Sequence, residues 1–397
     1  MNCNKKTVTD IDVKGKKVLL RCDFNVPRDK QTNAITDDKR IRAAIPTIEY
    51  LLNNGAAVIA CSHMGRPKGE WVPALSLAPC AERLSQLLGK EVKMAKDVIG
   101  DDAKALAAAL QPGEIMLLEN LRYHKEETKN APEFAKALAD LAEVYVSDAF
   151  GTVHRAHAST AGVADYLPAV SGFLVEKELK EIGGALANPK RPLVAILGGS
   201  KVSDKLGVIN SLLDKADTLI IGGGMAYTFV KAHGGQIGTS LCEDDRLDYA
   251  REMVQKAKDK GVKLMYSQDF IVSKDFAPDA EPVYIDGTNI PDELGGMDIG
   301  FKTREMFVNE IKNAGTVIWN GPMGVFEFDA FSKGTETVAR AMAESGAITI
   351  IGGGDSAAAV EKFGLSASMT HVSTGGGASL EFMEGLELPG VTCLMDK

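Results

Sequence analysis

Arginine recurs directly after short apolar runs in the first half of this chain. Val18-Leu19-Leu20 leads into Arg21-Cys22-Asp23-Phe24-Asn25-Val26-Pro27, and Ala57–Cys61 into Ser62-His63-Met64-Gly65-Arg66-Pro67. Residues 115–118 lead into Glu119-Asn120-Leu121-Arg122, and Val144–Ser147 into Asp148, with His154-Arg155-Ala156-His157 just beyond. Arg40 follows in a loop that opens the first helical pattern. Guanidinium forks match the planar oxygens of phosphate and carboxylate, so this spacing gathers cations for a small anion. The gathering has to be local, because the chain as a whole carries a formal charge of -9.

Glycine takes the same places in the second half. Leu193–Leu197 runs into Gly198-Gly199-Ser200-Lys201, and Thr218–Ile221 into Gly222-Gly223-Gly224. Residues 316–319 run into Asn320-Gly321-Pro322, and residues 347–351 into Gly352-Gly353-Gly354-Asp355. Ser373-Thr374-Gly375-Gly376-Gly377 precedes a last helical pattern. Without a Cβ, backbone N–H groups can approach a polyphosphate at a helix N-terminus, so this half suits a nucleotide. Each feature taken singly has an ordinary reading. One glycine-rich turn is more often a tight turn, one histidine such as His63 a structural residue, and one arginine a solvated one. Repetition at strand ends is what favours the chemical reading. The run Lys125-Glu126-Glu127 is expected to be solvated surface.

The elements that must position these residues alternate. Strand candidates are Lys17–Arg21, Ala57–Cys61, 115–118, Val144–Ser147, Leu193–Leu197, Thr218–Ile221, 263–267, 316–319 and 347–351. Helical spacing covers 42–53, 79–88, 131–141, 246–258 and 333–343. Alternation of this kind implies an α/β fold with mostly parallel sheets flanked by helices, and ligands then sit beyond the carboxyl ends of the strands. Phe173–Ala187 reads as an amphipathic helix with Val175, Leu179, Ile182 and Leu186 on one side, bracketed by proline-rich segments. It is expected to be a connector with a hinge between two Rossmann-like domains. The expected division is residues 1–172, the connector 173–187, and residues 188–377.

Length and composition agree with two sizeable cores: 397 residues, 45% apolar and 25% charged. No apolar run reaches membrane-span length, and the first ten residues lack the apolar stretch of a secretion signal, so a cytoplasmic protein is expected. The six cysteines have no metal-binding spacing, and Cys22, Cys61 and Cys80 read as core residues. The acidic balance argues against nucleic acid as a partner. There is no Gly-x-x-x-x-Gly-Lys-Ser/Thr, no His-Arg-Asp loop with Asp-Phe-Gly, and no dinucleotide fingerprint after a strand.

Several of these blocks together resemble the phosphoglycerate kinase family. They are Arg21 to Pro27, Ser62 to Pro67, Glu119 to Arg122, Asp148-Ala149-Phe150-Gly151, Gly198-Gly199-Ser200-Lys201-Val202-Ser203-Asp204-Lys205, Trp319-Asn320-Gly321-Pro322-Met323-Gly324-Val325-Phe326-Glu327 and Gly352 to Asp355. They stand in the family's order and cover nearly the whole chain. Two departures are visible. Ser356 replaces a common threonine and keeps the hydroxyl, and Phe301 stands where proline is expected, which should alter only a loop.

The resemblance implies reversible phosphoryl transfer between 1,3-bisphosphoglycerate and ADP, giving 3-phosphoglycerate and ATP in glycolysis, by a monomer that undergoes domain closure. It implies a 3-phosphoglycerate site of Asp23, Asn25, Arg40, His63, Arg66, Arg122 and Arg155. Asp23 and Asn25 would face the carboxylate end, and His63, Arg66, Arg122 and Arg155 the phosphate. The nucleotide site would use Gly199, Lys201, Lys205, Gly223, Gly224, Asn320, Pro322, Gly324, Val325, Glu327, Gly353, Gly354, Asp355 and Ser356. Glu327 would meet the ribose and Asp355 a magnesium ion, a hard cation suited to oxygen ligands. A tail, residues 378–397, would return to the first domain. Arg40 and Lys201 are the candidates to neutralise charge in the transition state, with backbone donors at Gly375, Gly376 and Gly377. The rival readings are a two-domain nicotinamide dehydrogenase, which the missing fingerprint disfavours, and a non-catalytic hinge-bending anion-binding module, which leaves Lys201, Lys205 and Asp355 unexplained.

Overall fold

Two compact units make up the chain in its computed structural model, which describes residues 2–397. Met1, the first residue of the expected N-terminal domain, lies outside the described residues. The first unit comprises residues 2–180 with Glu387–Lys397, and the second comprises Glu181–Leu386.

In the first unit, strands β1 (Lys17–Arg21), β2 (Ala57–Cys61), β3 (Val92–Met94), β4 (Ile115–Leu117), β5 (Val144–Ser147) and β6 (Ala169–Ser171) form one sheet. Its order is β3-β4-β2-β1-β5-β6, and every pairing is parallel. Helices cover both faces, which is why β2 reads Ala-Val-Ile-Ala-Cys and is buried throughout. The chain runs from β1 out to β2 on one side, and the connection from β4 crosses back to set β5 on the other side of β1. A crevice therefore opens at the carboxyl end of β1, the usual ligand position of such sheets. The core beneath it includes Val18, Leu20, Cys22, Phe24, Ile48, Val58, Val146 and Val170.

The second unit repeats the plan. Strands β7 (Leu193–Leu197), β8 (Thr218–Ile221), β9 (Gln236–Ile237), β10 (Lys263–Tyr266), β11 (Phe270–Ser273), β12 (Val283–Ile285), β13 (Asn289–Ile290), β14 (Gly295–Ile299), β15 (Thr316–Asn320), β16 (Ile348–Gly352) and β17 (His371–Val372) follow in chain order. Six of them form a parallel sheet of order β10-β8-β7-β15-β16-β17. Its switch point lies between β7 and β15, whose ends are Leu197 and Asn320. An antiparallel sheet β12-β11-β14 and the short pair β13-β9 are added beside it.

The division falls inside the helix Phe173–Ala187, between Lys180 and Glu181. The returning tail is shorter than the sequence suggests and starts at Glu387, not near 378. The helix Gly377–Glu384 packs within the second unit, where the Ser211 hydroxyl donates to the Met383 carbonyl at 3.0 Å. The tail itself is tied down by the Lys5–Asp396 ion pair at 2.7 Å and by the Gly390 amide donating to the Val153 carbonyl at 2.8 Å. Arg40 is the second residue of the helix Lys39–Asn53, not a loop residue. Phe301 likewise begins the helix Phe301–Lys312 instead of altering a loop. Its ring lies 5.0 Å from that of Tyr284 and 5.2 Å from the Arg304 guanidinium carbon.

Candidate active site: an arginine cleft and a glycine cradle

The cleft of the first unit is assembled by buried polar residues that brace its loops. Asn120 is fully buried. Its carbonyl oxygen accepts the amides of Met64 and Arg122, each at 3.1 Å, and its amide group donates to the carbonyls of Met64 at 2.8 Å and Leu75 at 2.9 Å. One side chain thus clamps the loop after β2 to the loop after β4. Glu119 does the same for the Ser76-Leu77 turn, accepting from the Leu77 amide at 2.8 Å and the Ser76 hydroxyl at 2.7 Å. Asn25 accepts the Gly65 amide at 3.0 Å, and Arg122 donates to the Gly65 carbonyl at 2.8 Å. Gly65 has φ +57, a left-handed conformation that favours glycine.

These braces set the cations. Arg40 is exposed and donates from one nitrogen to both Asp23 oxygens, at 3.1 and 3.2 Å, and to the Asn25 carbonyl at 3.1 Å. His63 is buried, and burial holds its imidazole well below the usual range; Arg21, Arg122, Arg155 and Arg40 push in the same direction. Arg122 is pulled down to about 10, first by burial and then by Arg21 and Arg155. His157 falls to about 4 through burial and the same three arginines. Arginine therefore acts on arginine here, and Glu127 offsets it only in part, leaving a local excess of positive charge that an anion would satisfy.

A cavity of about 450 Å³ opens beside this cluster, lined by Arg66, Lys68, Gly69, Arg122, His124, Lys125, Thr128, Lys129, Arg155 and His157. Arg66, Arg122 and Arg155 of the sequence set line it. Asp23, Asn25, Arg40 and His63 do not; the hydrogen bonds of Arg40, Asp23 and Asn25 group those three together, and His63 joins them through its electrostatic neighbours. The sequence reading missed Lys68, Lys125 and Lys129. The run at 125 is solvated only in part: Lys125 is exposed and lines the cavity, but Glu127 is 0% exposed. Glu127 accepts from the Ser159 hydroxyl at 2.5 Å and the Ser159 amide at 3.0 Å. The histidines that follow β5 and the helix carrying Glu127 were the available signals.

In the second unit the strand ends cross closely enough that side chains would collide. A Cβ on Gly223, which has φ +65, would lie 2.6 Å from the Gly199 nitrogen and 2.7 Å from the Pro322 oxygen. Three helices begin at these turns, Met225–Ala232 after Gly224, Gly354–Lys362 after Gly353, and Gly377–Glu384 after Gly376. Gly353 and Gly376 take φ +87 and +52. Helix N-termini of this kind are suited to phosphate oxygens.

Lys205 is nearly buried, and its ammonium donates to the carbonyls of Gly198 at 2.6 Å and Asn320 at 2.9 Å and to the Asn320 side-chain oxygen at 2.8 Å. It ties the ends of β7 and β15 together. Burial holds it down at about 8, against the pull of Asp355 and Asp204. Ser356, also buried, accepts the Gly321 amide at 2.6 Å, so its hydroxyl braces a loop. Lys201 is exposed on the turn after β7.

A cavity of about 610 Å³ is lined by Gly199, Gly223, Gly224, Pro322, Gly324, Val325, Glu327 and Asp355 of the sequence set. Tyr227, Ser240, Leu241, Lys274, Phe276, Gly295, Gly296 and Met297 also line it and were not read from the sequence. Most of these come from β11, β14 and their flanks, an antiparallel addition with no regular period. Leu241 and Phe276 are 61% and 70% exposed, large apolar faces that a flat ring would cover. Lys201, Lys205, Asn320, Gly353, Gly354, Ser356, Gly376 and Gly377 lie outside the cavity lining.

An arginine-lined cleft in one α/β unit and a glycine-lined cradle in the other define a phosphotransferase. A family model for phosphoglycerate kinase matches residues 8–386. Among curated relatives, "Phosphoglycerate kinase" of Clostridium botulinum (strain Eklund 17B / Type B) is 62% identical over 100% of both chains. The protein of that name from Clostridioides difficile (strain 630) is 59% identical over 99% of each. The solved structure of phosphoglycerate kinase from Coxiella burnetii is 43% identical, with a TM-score of 0.91 over 98% of each chain. That from Pyrococcus horikoshii OT3 is 34% identical, with a TM-score of 0.84 over 98% of each. The chain belongs to the phosphoglycerate kinase family. It is a kinase with a carboxyl group as phosphoryl acceptor, an enzyme of glycolysis. Among the described residues, no helix is long and apolar enough to cross a membrane.

Proposed function

We propose that the first unit binds 3-phosphoglycerate or 1,3-bisphosphoglycerate and the second binds ATP or ADP, and that the chain moves one phosphoryl group reversibly between them. The observation that carries the assignment is the cation cluster: Arg21, Arg122 and Arg155 surround His63 in a chain of net charge -9. His63, Arg66, Arg122 and Arg155 hold the 3-phosphate. Asp23, Asn25 and Arg40 hold the carboxyl end, where the chemistry occurs. On the nucleotide side, Leu241 and Phe276 face the base, Glu327 the ribose, and the glycine turns with Lys201 the phosphates.

The attacking oxygen is a carboxylate in one direction and a phosphate in the other. Both are ionised near neutral pH, so no general base is needed. Catalysis then consists of positioning and neutralising charge on the transferred group, by Arg40 from one unit, Lys201 from the other, and the amides of Gly376 and Gly377. Because the two ligands belong to different units, transfer calls for domain closure about the Phe173–Ala187 connector.

Asp355 is the residue that would hold Mg²⁺. One carboxylate beside a polyphosphate is a common magnesium arrangement. Among the described residues no group of three His, Cys, Asp or Glu side chains could hold a metal unaided, so the nucleotide's oxygens would complete the set. Bound there, the ion would offset phosphate charge. We place the protein in the cytoplasm as a monomer, with no membrane or nucleic-acid partner.

Release of ADP from Mg-ATP on addition of 3-phosphoglycerate tests this reading. We expect turnover with 3-phosphoglycerate and none with glycerate, which lacks the anchoring phosphate. Equal rates with both would refute the role given to the arginine cleft.

A further inference from the structure

Arg21 ends β1 and is 1% exposed, far too buried to serve as a solvated cation. Its three nitrogens have three different partners. Nε donates to the Ser159 hydroxyl at 2.9 Å, one terminal nitrogen donates to the Cys22 carbonyl, and the other lies 3.1 Å from Nδ1 of His63. Ser159 passes the connection on to the fully buried Glu127, donating at 2.5 Å. A carboxylate, a hydroxyl, a guanidinium and an imidazole thus form one continuous chain across the base of the cleft.

The chemistry of the chain fixes the histidine. A guanidinium only donates, so Nδ1 of His63 must present its lone pair. The ring is then neutral with its proton on Nε2. The charged groups around it, Arg21 from β1, Arg40 from the first helix, Arg122 after β4 and Arg155 after β5, all oppose a second proton. The opposite tautomer would set N–H against N–H at Arg21 and leave a lone pair as the only thing Nε2 could offer an anion.

We propose that Arg21, braced by Ser159 and Glu127, is a positioning residue that holds His63 as the Nε2–H tautomer, so that this histidine donates to the substrate's phosphate. The proposal rests on the assignment of His63 to that phosphate. It gives a role to an arginine that is too enclosed for direct anion binding, and to a buried glutamate that no part of the transfer chemistry uses. Burial raises Glu127 above the usual carboxylate range, and Arg21 and the Ser159 hydrogen bonds oppose that rise.

Nitrogen-15 spectra of the histidine rings in the full-length, ligand-free protein test the tautomer directly. The wild type should show His63 with Nε2 protonated, Nδ1 bare, and no titration between about pH 6 and 8. Arg21→Met should give mixed tautomers or a second proton on acidification, and raise the KM for 3-phosphoglycerate on the order of tenfold with the nucleotide KM unchanged. Arg21→Lys and Ser159→Ala should shift the spectrum the same way by less, and they carry the test if Arg21→Met does not fold. A wild-type ring protonated on Nδ1, or a His63 spectrum unmoved in all folded variants, overturns the proposal. So does a moved tautomer with unchanged KM while His63→Ala still raises it. If the tautomer moves and neither Arg21→Met nor His63→Ala alters the KM, the tautomer control stands and the assignment of His63 to the phosphate falls.

Discussion

Replacing Asn120 by alanine removes one side chain that fastens two loops of the arginine cleft. The lost interactions are countable: two accepted bonds at 3.1 Å from Met64 and Arg122, and two donated bonds at 2.8 and 2.9 Å to Met64 and Leu75. At about 1 kcal/mol net for each, the loss is roughly 4 kcal/mol, and the freed groups at Met64 stay buried where water cannot replace the partner cheaply. The damage should be confined to one unit, so urea unfolding needs a reporter in each. Trp71 lies in the first and Trp319 in the second, and they are the only two tryptophans. The first-unit transition should move by that amount while the second-unit transition stays in place. Because Met64 sits between His63 and Gly65, KM for 3-phosphoglycerate should rise while the nucleotide KM holds. A loss under about 1 kcal/mol, or equal changes in both KM values, would refute the view that Asn120 organises the cleft.

Arg40→Ala should lower turnover on the order of 10²–10³-fold with an intact fold, because the guanidinium is assigned to charge that develops during transfer; unchanged turnover removes that role. Glu327→Ala should raise the nucleotide KM at nearly constant turnover, since a ribose contact serves ground and transition states alike; lost turnover at constant KM would contradict it. Lys205 is held at about 8 in the folded chain against an ordinary 10.5. Between those values the unfolded chain keeps a proton the folded chain has shed, so stability should rise with pH there. Relative to Lys205→Met the gain should reach roughly 3 kcal/mol, and a flat difference in stability from pH 8 to 10.5 would show that the ammonium is not depressed.

Much of the fold was legible because the large parallel sheets leave a strong trace. Buried strands such as Leu193–Leu197 are unbroken apolar runs, and a loop of the candidate site comes directly after several of them. The sequence hid the elements that lack such a run. Val92–Met94 and Ala169–Ser171 are three residues long, and the helix Asp101–Ala109 is alanine-rich with a weak apolar stripe. The antiparallel strands and flanks that bring Gly295, Gly296 and Phe276 to the second unit's cavity alternate too irregularly to register as a site. Within the candidate site, charged and glycine residues announced themselves by type. The buried braces did not: Asn120 and Ser356 look like polar loop residues, and Glu127 like one charge in a solvated run. Only tertiary packing distinguishes a carboxylate that faces water from one that anchors an arginine through a serine.

In the proposed reaction the phosphoryl group goes to the carboxyl oxygen of a phosphoglycerate anchored by its other end. Phosphorus-31 spectra of an equilibrium mixture of the protein, Mg-ATP and 3-phosphoglycerate test it most directly. A new acyl-phosphate resonance should appear together with ADP, vanish when ATP is replaced by ADP alone, and form far more slowly with Arg40→Ala. ADP and inorganic phosphate accumulating with no acyl-phosphate signal, or a new phosphate ester on the hydroxyl instead, would contradict the account.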